Sequence, residues 1–175
     1  MPAVHAEARS ESLILPDLLA TCAEALAAAE SYGEAARRAV TQLVAPGGPS
    51  NNGRVDPALL EREQFAAHGY AWLATYVAAL REMLHWAERL DAAGQFGELE
   101  QLMLQATYGE YLNQMAGGIA PSQVEVLRPG DLGLGRDAVA TLQTYSAVQA
   151  LSGRHGNAPR LALAGSPARG TFGHA

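Results

Sequence analysis

The chain has no lysine and a single cysteine, and only 17% of its 175 residues are charged and 6% aromatic. With Cys22 as the one thiol, no intrachain disulfide can form, and its Ala/Leu surroundings read as those of an inert buried thiol in a reducing cytoplasm. Twelve arginines against 18 acidic residues leave a formal charge of -6. A broad nucleic-acid surface would need a concentrated basic face, and only Arg37-Arg38 comes near one. There is no run of about 18 apolar residues, and Glu7 and Glu11 stand before Leu13-Ile14-Leu15 where a secretory leader would carry basic residues. The expectation is a cytoplasmic protein that spans no membrane and binds no nucleic acid.

What the sequence does hold is alanine and leucine, 35 and 23 residues, against 2 isoleucines and 9 valines. That balance favours helix over strand and excludes an all-β fold. Residues 1–12 are polar and read as a flexible N-terminus. Leu18, Leu19, Cys22, Leu26, Ala29, Ala36, Val40, Leu43 and Val44 then recur at helical spacing, with Pro16 suited to the first turn and Ser12 or a neighbour to the cap. The Pro46-Gly47-Gly48-Pro49 stretch, followed by Ser50, Asn51 and Asn52, is a loop.

Asp56-Pro57 is a strong helix start, combining a side-chain acceptor at the N-cap with a fixed backbone angle at the first helical position. From there one helix is expected over 56–90, closed by Gly94. At about 100° per residue, Leu59, Ala66, Tyr70, Leu73, Val77, Leu80, Leu84 and Ala87 form a core stripe. A second apolar set, Phe65, Trp72, Tyr76, Met83, Trp86 and Leu90, lies on a flank about 90° to one side. One partner helix cannot cover both. A third helix is expected from Gly97 or Glu98 to Ala116, antiparallel to the second and stopped by Gly117-Gly118. Residues 119–134 carry Pro121, Pro129, Gly130 and Gly133 and should wrap as coil. A fourth helix runs from about Gly135 through Val139, Leu142, Tyr145 and Val148 to Leu151. The expected architecture is an all-α, four-helix up-and-down bundle over 13–152, with a long coil between helices 3 and 4 and a flexible tail over 153–175 that is rich in Gly and Pro.

Catalytic patterns are scarce. Glu82-Met83-Leu84-His85 has the Glu-x-x-His spacing of a di-iron bundle, but such a site needs a second pair and two more carboxylates, and here both side chains fall on the solvent side of the helix. His5, His68, His155 and His174 are scattered and make no metal site. Gly130-Asp131-Leu132-Gly133-Leu134-Gly135 follows no strand and reads as a turn, not a phosphate loop. Ser146, Ser152 and Ser166 lack a nucleophile-elbow setting, and Glu98 and Glu100 suit the positive end of a helix. No catalytic, cofactor-binding or metal-binding residue is assigned. Two features stand out: the aromatic flank, which is either core or a docking face, and the stretch Tyr108-Gly109-Glu110-Tyr111-Leu112-Asn113-Gln114-Met115-Ala116-Gly117-Gly118-Ile119. There, small and polar residues crowd a helix end, and a tight contact at Gly109 with Asn113 and Gln114 bonding the following coil would account for them.

That stretch, continued through Pro121-Ser122-Gln123-Val124-Glu125-Val126-Leu127-Arg128-Pro129-Gly130-Asp131-Leu132-Gly133, resembles the N-terminal helical extension found in the methylsuccinyl-CoA dehydrogenase branch of the FAD-dependent acyl-CoA dehydrogenase family. Residues 59–81 are similar to the same extension's second helix, so the resemblance covers about 55–133. It implies an accessory domain, non-catalytic by itself, whose family partner is a dehydrogenase body holding FAD and a glutamate base. None of those residues maps onto this chain. The candidate interface is Phe65, Trp72, Tyr76, Met83, Trp86 and Leu90, packed on a dehydrogenase body in cis or in trans. The competing reading is a free-standing helical homodimer or adaptor that uses the same flank on itself.

Overall fold

The structure, a computed structural model, describes residues 13–47 and 54–153. The expected flexible end over 1–12, the loop residues Ser50 to Asn52 and the tail beyond Gly153 lie outside them. The fold is all-α. Among the described residues there are six α-helices, α1 (Leu18–Val44), α2 (Pro57–Arg62), α3 (Gln64–Ala92), α4 (Glu98–Gly117), α5 (Arg136–Thr144) and α6 (Ser146–Ser152), and one short 3-10 helix, Pro129–Leu132. None is long and apolar enough to cross a membrane.

The three long helices alternate in direction. Arg81 of α3 pairs with Glu30 of α1 at 2.7 Å, and Val77 lies beside Gly33, which sets α1 and α3 antiparallel. Tyr108 of α4 donates its hydroxyl to the Leu80 carbonyl at 2.9 Å, and Tyr76 stacks on Tyr111 at 4.3 Å, which sets α3 and α4 antiparallel as expected. Tyr32 donates to the Met115 carbonyl at 3.1 Å and ties α1 to α4. Between them lies a core of Cys22, Ala25, Ala29, Leu73, Leu80, Leu104 and Leu112, all at zero exposure. The alanines on α1 allow close approach, so the burial falls on leucines of the other two helices.

Two expected rods are broken. The 56–90 helix is interrupted at Glu63, where the backbone leaves the helical region (φ -101°, ψ 22°). Glu61-Arg62-Glu63-Gln64 holds no apolar side chain, so packing does nothing to keep the junction straight. α2 is instead tied to the end of α1 by the Asp56 N–H bonded to the Val44 carbonyl at 2.9 Å, and it buries no residue. Leu59, placed on the core stripe by periodicity, is accordingly only half-buried. The Asp56 cap is as expected, its Oδ1 accepting from the Ala58 and Leu59 N–H groups.

The fourth helix is broken at Tyr145 into α5 and α6 (φ -66°, ψ 125°). In one continuous helix Leu142 and Leu151, nine residues apart, would face roughly opposite ways. The break lets both be buried, at 1% and 0% exposure. Gln149 Nε2 donates to the Gln143 carbonyl at 2.8 Å and satisfies a backbone group that the break frees. Helix 1 also starts later than expected: Pro16 lies before the helix, and Asp17 at its N-cap is left-handed (φ 51°, ψ 40°) with no side-chain cap bond.

The 119–134 coil is ordered over the helices. Ile119 and Leu127 exchange backbone bonds of 2.9 and 2.7 Å in an isolated antiparallel bridge, and Ile119, Leu127, Leu132 and Leu134 are buried. The predicted turn at Gly130 to Gly135 is the 3-10 helix, where Asp131 Oδ2 accepts the Arg128 N–H at 2.7 Å.

Candidate functional site

The aromatic flank of α3 forms the outer edge of the core. Trp72, Tyr76, Met83, Trp86 and Leu90 are half-buried, and the first four of these pack against buried core residues. Phe65, at the α2 end, is 43% exposed. The face extends beyond α3. In the register set by Tyr76 on Tyr111 and Tyr108 on Leu80, the second half of α3 lies level with the first half of α4, whose Leu99 and Met103 are 50% and 41% exposed. The apolar strip is the α3 flank with Tyr111 stacked on it, and Leu99 and Met103 add exposed apolar surface on α4 at the level of the second half of α3.

Polar contacts hold the strip's aromatic rings in fixed positions. Tyr76 donates its hydroxyl to Gln114 Oε1 at 2.6 Å, and Gln114 Nε2 donates to Glu110 Oε1 at 2.6 Å. Burial, with Tyr111 and Glu110 adding to it, raises the Tyr76 hydroxyl above its ordinary pKa, so it stays a donor at neutral pH. Trp72 Nε1–H donates to His68 Nε2 at 3.0 Å, with the two rings edge to face. Amphipathic rings held this way are the side chains that anchor protein interfaces.

Asn113 and Gln114 do not bond the following coil as the sequence suggested. Asn113 Nδ2 donates to the carbonyls of Gly109 and Ser152, tying α4 to the end of α6, while Gln114 turns back to α3. One turn of α4 places 113 and 114 on different flanks, so a single partner for both is not available. Gly109 itself is buried.

The other sequence candidates are dispersed. Glu82 and His85 are both exposed, with Nδ1 of the histidine 3.8 Å from the carboxylate, and among the described residues no three His, Cys, Asp or Glu side chains stand where they could hold a metal. His5, His155 and His174 lie outside the described residues. Glu98 and Glu100 occupy the first turn of α4, at its positive end. Cys22 has zero exposure, and burial pushes its thiol up to about 12, so it is protonated and unreactive at neutral pH.

Sequence reasoning missed Tyr111, which completes the strip by stacking on Tyr76, and Gln105, which is fully buried on α4. A signal for the second existed: Gln105 stands at a core-spaced position with Leu102, Gly109 and Leu112.

No family model matches the chain. It is 47% identical over 121 residues, 69% of its length, to a (2S)-methylsuccinyl-CoA dehydrogenase of Cereibacter sphaeroides. This chain is a relative of part of that dehydrogenase. It spans about a fifth of the length of that curated relative, 21%.

Proposed function

We propose that the chain serves as the accessory N-terminal helical domain of a methylsuccinyl-CoA dehydrogenase-like acyl-CoA dehydrogenase, acting in the cytoplasm and catalysing nothing by itself. The observation that carries this reading is the 47% identity to a named dehydrogenase, confined to a fifth of that protein. The α3/α4 strip, with Phe65 as its exposed end, is the face that packs on the dehydrogenase body, in cis or in trans.

FAD, the cofactor of acyl-CoA dehydrogenases, belongs on that body. The open groove of about 860 Å³ beside the first turn of α1 carries Asp17 and Asp91, and no arginine stands among the described residues that line it. Two carboxylates are the wrong charge for a dinucleotide's diphosphate. The chain's own contribution is surface: aromatic anchors at fixed positions, with a polar network behind them.

The test is to express the tagged full chain in its own cells and isolate what it carries. An acyl-CoA dehydrogenase with flavin absorbance should accompany the wild type and be lost from Phe65→Asp, whose circular dichroism stays helical because Phe65 is already 43% exposed. The isolated chain should oxidise no methylsuccinyl-CoA with an artificial electron acceptor. One bound FAD per isolated chain, or a stable dimer in light scattering that Phe65→Asp dissociates, would refute the assignment.

A further inference from the structure

We propose that residues 13–16 form a strap that is closed over α1 and α4 by the Gln105 carboxamide and opens about Asp17 as a unit of its own, while the helices stay folded. The chain bends at Leu13 and Ile14, and the Leu13 carbonyl and the Leu15 N–H both reach one side chain. Gln105 presents the complementary pair. Its Nε2 donates to the Leu13 carbonyl at 2.9 Å and its Oε1 accepts the Leu15 N–H at 2.8 Å. One side chain thus grips the strap by its backbone, whatever side chains the strap carries.

No residue of the strap lies within a helix, so none is held by a helical hydrogen-bond ladder. Ile14 and Leu15 pack partly on the core, Leu13 is 45% exposed, and Pro16 has no N–H to donate. The pivot is well defined. Asp17 is the only non-glycine residue with positive φ among those described, and its carbonyl accepts the Thr21 N–H at 2.9 Å, so the hydrogen-bond ladder of α1 begins at Asp17. Aspartate tolerates this conformation better than most residues but at some cost, which opening relieves. From Leu18 onward α1 has its own buried residues and does not depend on the strap.

Opening also changes the surface. The closed strap, with Ile14, Leu15 and Pro16, is one wall of the 860 Å³ groove, whose other walls include Leu19, Asp91 and Phe96. An open strap removes that wall, so whatever occupies the groove selects the closed form.

Hydrogen exchange on the full chain tests this. In the wild type the Leu15 amide should exchange more slowly than in an unstructured peptide but at least tenfold faster than the amides of Leu80 and Leu84 in α3, with little dependence on added urea, as a local opening requires. Gln105→Met keeps the side-chain volume and removes both bonds; Leu15 exchange should rise at least tenfold while Leu80 and Leu84 are unchanged. The proposal fails if wild-type Leu15 exchanges with the rate and urea dependence of α3, which would mean it opens only with global unfolding. It fails equally if Gln105→Met leaves Leu15 protected. Should that variant not fold, the wild-type urea series decides alone.

Discussion

Replacing Gly69 by alanine sets two effects of known sign against each other. In the interior of α3, alanine should stabilise the helix by about 1 kcal/mol on propensity alone. The structure predicts the opposite outcome. The place a Cβ would take at Gly69 is already filled by the side chain of Leu127, which is 2% exposed. Leu127 cannot easily withdraw, because its backbone is bridged to Ile119 in both directions and Arg128 beside it bonds Asp131. Overpacking of this kind costs about 1–3 kcal/mol, so after the propensity gain the net should be a loss of up to about 2 kcal/mol, read in urea unfolding followed by far-UV circular dichroism. For a chain of this size that corresponds to a fall in Tm of up to roughly 8 °C. Gly117→Ala is the control: nothing lies within 4 Å of its added Cβ, and stability should be unchanged or slightly raised. The decisive measurement is the cycle with Leu127→Ala. That change alone should cost about 2–5 kcal/mol, and in its background Gly69→Ala should become neutral or stabilising, a coupling of about 1–3 kcal/mol. If Gly69→Ala costs the same with and without Leu127, the notch is not what the glycine provides.

Tyr76→Phe keeps the stack on Tyr111 but deletes the 2.6 Å bond to Gln114, and it should lower unfolding free energy by about 0.5–1.5 kcal/mol in denaturant titration. Asp56→Ala removes the acceptor for the Ala58 and Leu59 N–H groups and should cost about 0.5–2 kcal/mol, with loss concentrated in α2 amide protection. Stability should fall at alkaline pH. Burial pushes Cys22 from 9.0, and Tyr32 from 10.0, up to about 12, and raises Tyr108 as well. The folded chain therefore holds these protons when the unfolded chain has begun to release them. Below about pH 9 both states are protonated and the groups add no pH dependence; from there towards 12 the urea midpoint should decline. In Cys22→Ala the portion of that decline that starts near pH 9 should disappear, and an unchanged profile would exclude the thiol as its source.

The parts of this fold that the sequence made legible are those decided locally. Asp56-Pro57 starts a helix because a cap and a fixed angle act within three residues, and Gly94 ends one because its φ of 66° is easy only for glycine. The core stripe of α3 was visible for the same reason, since Leu73, Val77, Leu80 and Leu84 repeat at the helix's own period. The breaks at Glu63 and Tyr145 were not, because each depends on a distant part of the chain: a backbone bond from Asp56 to Val44 ties α2 to the end of α1, and the turn at Tyr145 answers a packing demand. Tyr145 turns the chain so that Leu142 and Leu151 can both be buried, and nothing within residues 136–152 says which surface they must reach.

The same distinction governs the candidate site. The helical wheel places Phe65, Trp72, Tyr76, Met83, Trp86 and Leu90 on one flank, but only the antiparallel seating of α4 supplies Tyr111 as a stacking partner, sets Leu99 and Met103 beyond them, and leaves Phe65 the least covered of the six. An aromatic strip whose inner edges are fixed by Gln114 and His68 loses little side-chain entropy when a partner covers its outer edges. A face made this way can remain half-buried in the isolated chain and still bind. That property distinguishes the strip from the fully sealed leucines of the core, whose substitution would report on folding alone.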